Sequence, residues 1–278
     1  MSSVLVRLFG WRATLHHGDA LVFDRWRWIK RHLRHTRNNE RLLDVGCGSG
    51  AFTIGTARLG YRSLGLSWCE RNQKVAEERA RISRTPTAAF DICDVRELDQ
   101  RQAYKGQFDV VLCTENIEHL IDDFRLMRAM AGCLKPGGRL LLTSPQLRRI
   151  PQNFMDYGPF PNFEDGRHVR HGYNRVMLEE LCRHAGLEVE EIGYISGPIS
   201  QWHAWLLWQM SRVSHPLFAW LLTLPLRPLP PLFDALISRL TGYPPFCITL
   251  EAMKPRMQVN PVQAGLKATS MDFAEACR

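Results

Sequence analysis

Three glycines at alternate positions, directly after a short apolar strand, constrain this chain more than any other feature. The strand carries Asp44 near its end, and the glycines are Gly46, Gly48 and Gly50. Glycine readily adopts positive φ angles and lets backbone N–H groups come close to a bound molecule. The apolar run 51–59 that follows is typical of the helix into which such loops lead. The segment therefore predicts a ligand-binding loop between a strand and a helix.

Apolar strands and helical stretches alternate along the chain, which predicts an α/β fold with a parallel sheet and helices on both faces. The predicted strands are 41–45, 62–66, 88–92, 108–113, 139–143, 187–195 and 246–252. Helices are expected at 123–134 and at 175–185, the second ending at Gly186. The Lys-Pro-Gly-Gly run at 135–138 predicts a turn before the fifth strand.

The chain has 278 residues, is 45% hydrophobic and carries a formal net charge of +8. This length allows one substantial core with an appended region. Six Arg or Lys and two Trp fall between 24 and 37, so residues 1–39 are predicted to form a basic, amphipathic, helical N-terminal segment. A solvated helix covering the edge of the sheet is the favoured interpretation. Contact with a membrane surface or a nucleic acid is the alternative.

The eight cysteines are scattered singly and form no C-x-x-C pair. Neither a disulfide framework nor a structural zinc site is indicated. The first residues are interrupted by Arg7 and lack an apolar stretch of signal-peptide length. The expected location is the cytoplasm, with peripheral contact at the inner face of the membrane as an open alternative.

Residues 197–243 form an insertion rich in Trp, Leu and Pro, and only four residues of this insertion are charged. It precedes the segment 244–255, which contains the last predicted strand. Its apolar runs are too short for the roughly 20 residues that a spanning helix needs. We expect helices that form a lid with hydrophobic walls over a substrate cleft, or an element that lies on a membrane surface. A helical layer without a ligand role is the third interpretation. The tail 256–278 is expected to be flexible.

Four separated motifs occur in an order and spacing that identify a family. They are Leu-Asp-Val-Gly-Cys-Gly-Ser-Gly at 43–50, Phe-Asp-Ile-Cys-Asp-Val at 90–95, the segment 108–120, and Leu-Lys-Pro-Gly-Gly at 134–138. Together they resemble class I S-adenosylmethionine-dependent methyltransferases of type 11/12, most closely the ubiquinone/menaquinone type. The resemblance implies a Rossmann-like, seven-stranded, mostly parallel sheet. It also implies that residues 40–196 bind S-adenosylmethionine.

The resemblance further implies which residues contact the cofactor. Asp94 would accept a hydrogen bond from the adenine amino group, and the N–H of Val95 would meet a ring nitrogen. The full predicted set is Asp44, Gly46, Cys47, Gly48, Ser67, Trp68, Asp94, Val95 and Thr114. Ser67 stands where the family usually has an acid that binds the ribose hydroxyls. A neutral hydroxyl would bind a ribose oxygen about 1 kcal/mol less strongly than a charged carboxylate does. Glu70 is an alternative ribose partner, and Ser67 as a cap of the next helix is an equal alternative.

Glu115, Glu118 and His119 follow the fourth predicted strand with i, i+3 and i+4 spacing, which would put them on one face of a helical turn. His168 and His171 lie in a later cluster that could close over the same site. The predicted catalytic residues are His119, Glu118 and His171. Three roles stay open for His119: a general base, a ligand of Mg²⁺ or a similar ion together with Glu115, Glu118 and His168, or a purely architectural residue.

The leading functional hypothesis is methyl transfer to an apolar small molecule that is quinone-, polyketide- or lipid-like, with O-methylation favoured. An RNA or other nucleic-acid methyltransferase is the alternative, suggested by the charge and by Trp26 and Trp28 among arginines. The sequence at the end of the fourth strand is Cys-Thr-Glu-Asn, and not the Asn-Pro-Pro-Tyr type of signature found in base methyltransferases. This difference argues against the nucleic-acid alternative. A third hypothesis is a non-catalytic partner protein that retains the fold. The oligomeric state is not predicted.

Overall fold

A seven-stranded sheet organises the chain, and the predicted mostly parallel Rossmann-like arrangement is confirmed. The computed structural model describes residues 4–16, 19–33, 36, 39–151 and 158–256. The strands are β1 (Arg41–Val45), β2 (Arg62–Ser67), β3 (Ala88–Ile92), β4 (Phe108–Thr114), β5 (Leu134–Pro145), β6 (Glu188–Ile195) and β7 (Cys247–Met253). Their spatial order is β3-β2-β1-β4-β5-β7-β6, and β7 runs antiparallel to both of its neighbours. Apart from Arg256, the predicted flexible tail lies outside the described residues.

Helices cover both faces of this sheet, as predicted. They are α1 (Val4–Phe9), α2 (Arg12–His16), α3 (Ala20–His32), α4 (Ala51–Ala57), α5 (Glu70–Ile82), α6 (Asp123–Cys133), α7 (Arg175–Ala185), α8 (Pro198–Val213), α9 (Pro216–Thr223) and α10 (Leu229–Thr241). Alternate strand residues face opposite layers because side chains of a strand point to the two faces in turn. Leu43 and Val111 join the core under α6 and α7, whereas Leu42 and Val110 join the core under α3.

The basic N-terminal helix α3 packs its aromatic residues against the sheet. Trp26 and Trp28 are buried in the core that contains Leu42 and Leu141. Trp26 also reaches Gly55 of α4, where an added Cβ would come within 2.6 Å of the indole. Lys30 and Arg31 of α3 are exposed, as expected for a solvated helix. The predicted position at the edge of the sheet was wrong, because the indoles pack on the inner strands β1, β4 and β5.

The turn predicted at 135–138 was wrong, because these residues belong to β5. Leu134 already pairs with Phe108 of β4. On the other side, the N–H of Gly137 donates to the carbonyl of Lys254, and the N–H of Lys254 donates to Gly138 (2.8 Å each). Gly137 takes a φ of 79°, so a register irregularity with β4 is absorbed without ending the strand.

The predicted helical insertion before the last strand is confirmed as α8, α9 and α10. Asp234 of α10 stabilises the start of α8, because its carboxylate accepts hydrogen bonds from the N–H groups of Gly197, Ile199 and Ser200. Helix α8 in turn lies against α3. In the part of the chain that is described, no helix combines the length and apolar character needed to cross a membrane.

Strand β1 carries a fully buried carboxylate toward the glycine loop. Oδ2 of Asp44 accepts a hydrogen bond from Thr53 Oγ1 at 2.6 Å, while Oδ1 has no protein partner. Burial raises the pKa of Asp44 from 3.8 to about 6, and the Thr53 hydrogen bonds oppose only part of that rise. Asp44 is therefore held charged beside the loop at a cost in stability.

We expect Asp44→Asn to become progressively more stable than the natural chain as the pH rises from 3.8 to about 6. Between these pH values the unfolded chain has released the Asp44 proton and the folded chain still holds it, so each rise in pH favours the unfolded state. A shift of about two units corresponds to about 3 kcal/mol of unfolding free energy. Urea unfolding at several pH values measures this difference.

The matched control is Asp99→Asn. Hydrogen bonding to Arg125 lowers the pKa of the exposed Asp99, so its contribution to stability has the opposite pH trend. A stability difference between Asp44→Asn and the natural chain that stays constant with pH would contradict the prediction.

Candidate active site

The glycine loop is closely packed at the carboxyl ends of β1 and β4. Gly46 has a φ of 82°, and a Cβ added there would lie 2.5 Å from Cγ of Asn116. The N–H of Cys47 donates to the carbonyl of Leu66 at 2.8 Å, which ties the loop to β2. Gly48 also has a positive φ, and no atom lies within 4 Å of its virtual Cβ. The loop thus packs tightly on the Asn116 side and leaves space at Gly48.

A buried arginine that the sequence analysis missed holds this loop from α5. Nη1 of Arg79 donates to the carbonyl oxygen of Ser49 at 3.2 Å and to its hydroxyl at 2.5 Å. Burial lowers the pKa of Arg79. Its position in a highly charged helix gave no signal of this contact.

Beside the loop lies a cavity of about 310 Å³ that we call the Asp94 cavity. Its lining includes Trp68, Asp94, Val95, Arg96, Glu115, Asn116, His119, Leu120, Glu164, Asp165 and Gly166. The indole of Trp68 is 70% exposed. Asp94 accepts hydrogen bonds from the backbone and guanidinium of Arg96, and these bonds lower the pKa of Asp94. Three of the predicted cofactor residues, Trp68, Asp94 and Val95, thus border one cavity.

The chain after residue 158 forms the opposite wall of the Asp94 cavity. Glu164 accepts a hydrogen bond from the N–H of Ile121 at 2.6 Å and from Arg96 Nη1 at 3.3 Å. Nearby, Arg170 binds Asp123 and the carbonyl of Leu120. Glu164 and Arg96 were missed by the sequence analysis, because their contact joins segments 68 residues apart.

The other predicted cofactor residues lie at the ends of neighbouring strands. Ser67 is buried at the end of β2, and its hydroxyl accepts a hydrogen bond from the N–H of Cys69 at 3.2 Å, just before α5. The cap residue of α5 is Cys69, and no side-chain hydrogen bond caps the helix, so the alternative that Ser67 caps it was wrong. The side chain of Glu70 is 75% exposed, with Lys74 as its ion-pair partner at 4.0 Å. Thr114 ends β4 and pairs with Thr143 of β5.

Glu118, His119 and His168 converge beside the Asp94 cavity. In the described ranges, one potential ligand atom from each lies within 4.8 Å of the others. The rings of His119 and His168 meet edge to face at 4.6 Å, and His168 Nε2 lies 4.0 Å from Glu118 Oε1. Glu118 is fully buried and accepts a hydrogen bond from Ser144 at 3.2 Å. Burial, reinforced by the nearby Glu115, raises the pKa of Glu118 well above its usual value.

Glu115 does not share the predicted helical face with Glu118 and His119. Only Ile117–His119 forms a short 3-10 turn, and Glu115 precedes it with a φ of 48°. The N–H of Glu115 donates to the carbonyl of Thr143 at 2.9 Å, which keeps this residue in line with β5. The expected helical spacing was wrong here because the chain leaves β4 through a left-handed residue.

Glu115 instead forms an ion pair with Arg25 of α3, with 3.4 Å between Nη2 and Oε2. Burial lowers the pKa of Arg25, but the Glu115 carboxylate, together with Cys247 and Asp19, outweighs this effect and raises the pKa. The sequence analysis missed Arg25 because nothing local distinguishes it from the other basic residues of α3.

A second cavity of about 340 Å³ lies on the other side of Glu115, and we call it the Trp205 cavity. Its lining consists of Asp19, Leu21, Arg25, Glu115, Pro145, His168, Ala204, Trp205, Trp208 and Phe246. Helix α8 of the insertion supplies Trp205 and Trp208. The two cavities share Glu115 and flank the residues that converge near His168.

His171 lies apart from these contacts. Its ring meets Phe160 edge to face at 6.0 Å, and its carbonyl accepts a hydrogen bond from Arg149. Within the described part of the chain it does not belong to the group formed by Glu118, His119 and His168. Its catalytic role stays a prediction.

Comparison with known proteins gives a family match over residues 16–192, to the family described as "Methyltransferase domain". Ubiquinone biosynthesis O-methyltransferase from Acinetobacter baylyi is 30% identical over 190 residues, which cover 66% of this chain and 77% of the relative. The enzyme of the same name from Albidiferax ferrireducens is 35% identical over 116 residues, covering 42% of this chain. The chain spans only 44% of that relative's length.

Solved structures show the same fold at lower identity. Phosphoethanolamine N-methyltransferase 2 from Haemonchus contortus, in complex with S-adenosylmethionine, is 18% identical with a TM-score of 0.58, covering 84% of this chain and 52% of that one. Geranyl diphosphate C-methyltransferase from Streptomyces coelicolor, in complex with Mg²⁺, is 17% identical with a TM-score of 0.56, covering 82% and 77%. Since the family match spans more than half of the chain, this protein belongs to the methyltransferase domain family and is a class I S-adenosylmethionine-dependent methyltransferase.

Proposed function

We propose that this enzyme methylates a hydroxyl group of an apolar small molecule that is quinone-, polyketide- or lipid-like. The observation that carries the proposal is the pair of cavities that meet at Glu115. One is bordered by predicted cofactor residues. The other combines apolar residues, among them Trp205 and Trp208, with four ionisable ones. O-methylation is favoured over C- or N-methylation because the relatives are named ubiquinone biosynthesis O-methyltransferases.

S-adenosylmethionine supplies an activated methyl group when bound, and the residues of this chain fit its polar ends. Oδ1 of Asp44 and Nδ2 of Asn116 are buried without a protein partner, as expected for groups that complete their hydrogen bonds with a ligand. The methionine end is assigned to Asp44 and the backbone of Gly46, Cys47 and Gly48. The adenosyl end is assigned to Ser67, Trp68, Asp94, Val95 and Thr114.

In the proposed reaction the protein aligns the acceptor oxygen with the methyl group and removes the hydroxyl proton. The imidazole of His119 would take that proton as the O–H bond breaks. The acceptor oxygen would bond to the methyl carbon as the bond from that carbon to sulfur breaks, and S-adenosylhomocysteine would be the leaving group. The Glu118 carboxylate, which has an oxygen within 4.8 Å of a ring nitrogen of His119, would stabilise the positive charge that forms there. His171 is retained as a candidate in the same role.

Cation binding is the second proposed role of this cluster. Glu118, His119 and His168 would offer one carboxylate and two imidazoles, with Glu115 nearby but paired to Arg25. Mg²⁺ prefers oxygen ligands, whereas imidazole suits ions such as Mn²⁺, Fe²⁺ or Zn²⁺. The donor set therefore fits an imidazole-binding divalent ion better than Mg²⁺.

Nucleic acid is a poor fit as the acceptor. Trp26 and Trp28 suggested base stacking in the sequence, but both indoles pack in the core. We also propose that the enzyme is cytoplasmic and contacts the inner face of the membrane peripherally. Its support is the apolar surface of the insertion.

The acceptor class is tested by transfer of a radiolabelled methyl group into lipid extract, small-molecule extract and total RNA, each with and without a chelator. We expect label in the organic-soluble fractions, because apolar residues, among them Trp205 and Trp208, line the Trp205 cavity. Loss of label with chelator, restored by added Mn²⁺, would favour the cation over the general base. Label in RNA alone would overturn the proposed acceptor class.

We expect Gly46→Ala to weaken binding of S-adenosylmethionine by about tenfold or more. The positive φ costs a non-glycine residue about 1–2 kcal/mol, and the added Cβ would lie 2.5 Å from Asn116. Calorimetry of cofactor binding measures the loss. Gly132→Ala is the matched control, because no atom lies within 4 Å of its virtual Cβ. Equal affinity in both variants would disprove the assigned role of the loop.

We expect His119→Ala to bind the cofactor normally and to turn over about 10²–10⁴-fold more slowly, the usual contribution of a general base. Calorimetry gives the binding constant, and the methyl-transfer rate across pH gives the catalytic effect. The loss should be largest where the natural enzyme has a deprotonated imidazole. Turnover equal to that of the natural enzyme would remove His119 from the catalytic assignment.

A further inference from the structure

Helix α9 is built with its apolar side chains outward. Its buried face consists of Ala219, Trp220 and Thr223, and its single polar side chain, Thr223, donates a hydrogen bond to the carbonyl of Ala219. The residues that face outward are Leu217, Phe218, Leu221 and Leu222, between 37% and 56% exposed. A helix on a water-covered surface normally shows the reverse pattern.

Helix α10, which like α9 packs against α8, carries a second row of outward apolar side chains. Leu232, Leu236 and Leu240 follow one another at four-residue spacing and are 68%, 54% and 75% exposed. We call the outward residues of both helices the α9–α10 surface: Leu217, Phe218, Leu221, Leu222, Leu232, Leu236 and Leu240. Scattered exposed leucines are ordinary, but a cluster of this size marks a surface that contacts something apolar.

We infer that the α9–α10 surface docks on the anionic face of a phospholipid bilayer and that α8 thereby brings the Trp205 cavity to the lipid. The second part of this inference, that the Trp205 cavity is brought to the lipid, rests on the proposed function, because it gives an apolar acceptor a route into that cavity. The helices have 8 and 13 residues, which is too short to span a bilayer, so they would lie along its surface.

The charges around this surface are complementary to anionic lipid. Arg212 and Arg239 are exposed at the ends of α8 and α10. The insertion has a single acidic residue, Asp234, and its carboxylate is engaged at the start of α8. Arg27 and Arg31 of α3 line a cleft together with residues of α10. Basic side chains beside an apolar helical face attract anionic headgroups.

Helix α8 provides the boundary between lipid and cavity. Trp202, Trp205 and Trp208 are about half exposed, and the guanidinium of Arg212 stacks on Trp208 at 4.8 Å. Tryptophan is favoured at the boundary between lipid chains and headgroups because one end of its ring is apolar and the other polar. Trp205 and Trp208 also line the acceptor cavity. An acceptor dissolved in the bilayer could therefore enter the cavity without crossing water.

Sedimentation with vesicles tests this inference. The full chain, without cofactor or acceptor, is mixed with phosphatidylcholine vesicles that contain or lack phosphatidylglycerol. We expect binding to the anionic vesicles that weakens with salt. The double variant Leu221→Glu, Leu236→Glu should lose about tenfold or more in affinity, since each change removes apolar contact and adds negative charge. Val176→Glu is the matched control, because Val176 is 68% exposed on α7, outside this surface.

The results separate the alternatives. Failure of the natural chain to bind anionic vesicles, or equal binding by the double variant, overturns the inference. A natural dimer that the double variant converts to a monomer, seen by light scattering without vesicle binding, would assign the surface to a second copy of the chain. Thermal melting followed by circular dichroism checks that each variant is folded. Vesicle binding by a chain that transfers no methyl group would sink the proposed function and leave the docking surface standing.

Discussion

The ion pair between Arg25 and Glu115 joins the parts of this enzyme that matter for its chemistry. Glu115 leaves β4 in a left-handed conformation and borders both cavities, while Arg25 comes from the N-terminal helix. Both side chains are more than four-fifths buried, so removing one would leave the other charge unpaired in a poorly hydrated place. The pair depends on how α3 packs, which makes the buried indoles of Trp26 and Trp28 supports of the site.

Local features of the site were readable in the sequence, whereas contacts between distant segments were not. Apolar runs and glycine spacing predicted the strands and the loop at Gly46, because those signals depend on neighbouring residues. Arg79, which binds Ser49, and Arg96, which binds Glu164, are ordinary surface-type residues in sequence. Residues 135–138 were predicted as a turn before the fifth strand, because the pairing of Gly137 with Lys254, just after β7, is a tertiary contact.

The insertion illustrates why composition alone left its role open. A lid and a membrane-surface element are both rich in tryptophan and leucine, so the sequence cannot separate them. The cavity lining does so residue by residue: Trp205 and Trp208 border the Trp205 cavity, whereas Leu221 and Leu240 are exposed outside that lining. The two interpretations are therefore not exclusive. One helix can form the cavity wall while its neighbours present the apolar outer surface.

Two roles are proposed for Glu118, His119 and His168, a general base and a cation site, and both would place a positive charge beside the Glu118 carboxylate. Glu118 is fully buried, its pKa is raised by burial and by Glu115, and its Oε1 has no hydrogen-bond partner. A buried carboxylate in this state is stabilised by any nearby positive charge. A proton gained by the imidazoles during methyl transfer supplies such a charge, and so does a bound divalent cation. In either proposed role, Glu118 would offset the energetic cost of its burial by stabilising a nearby positive charge.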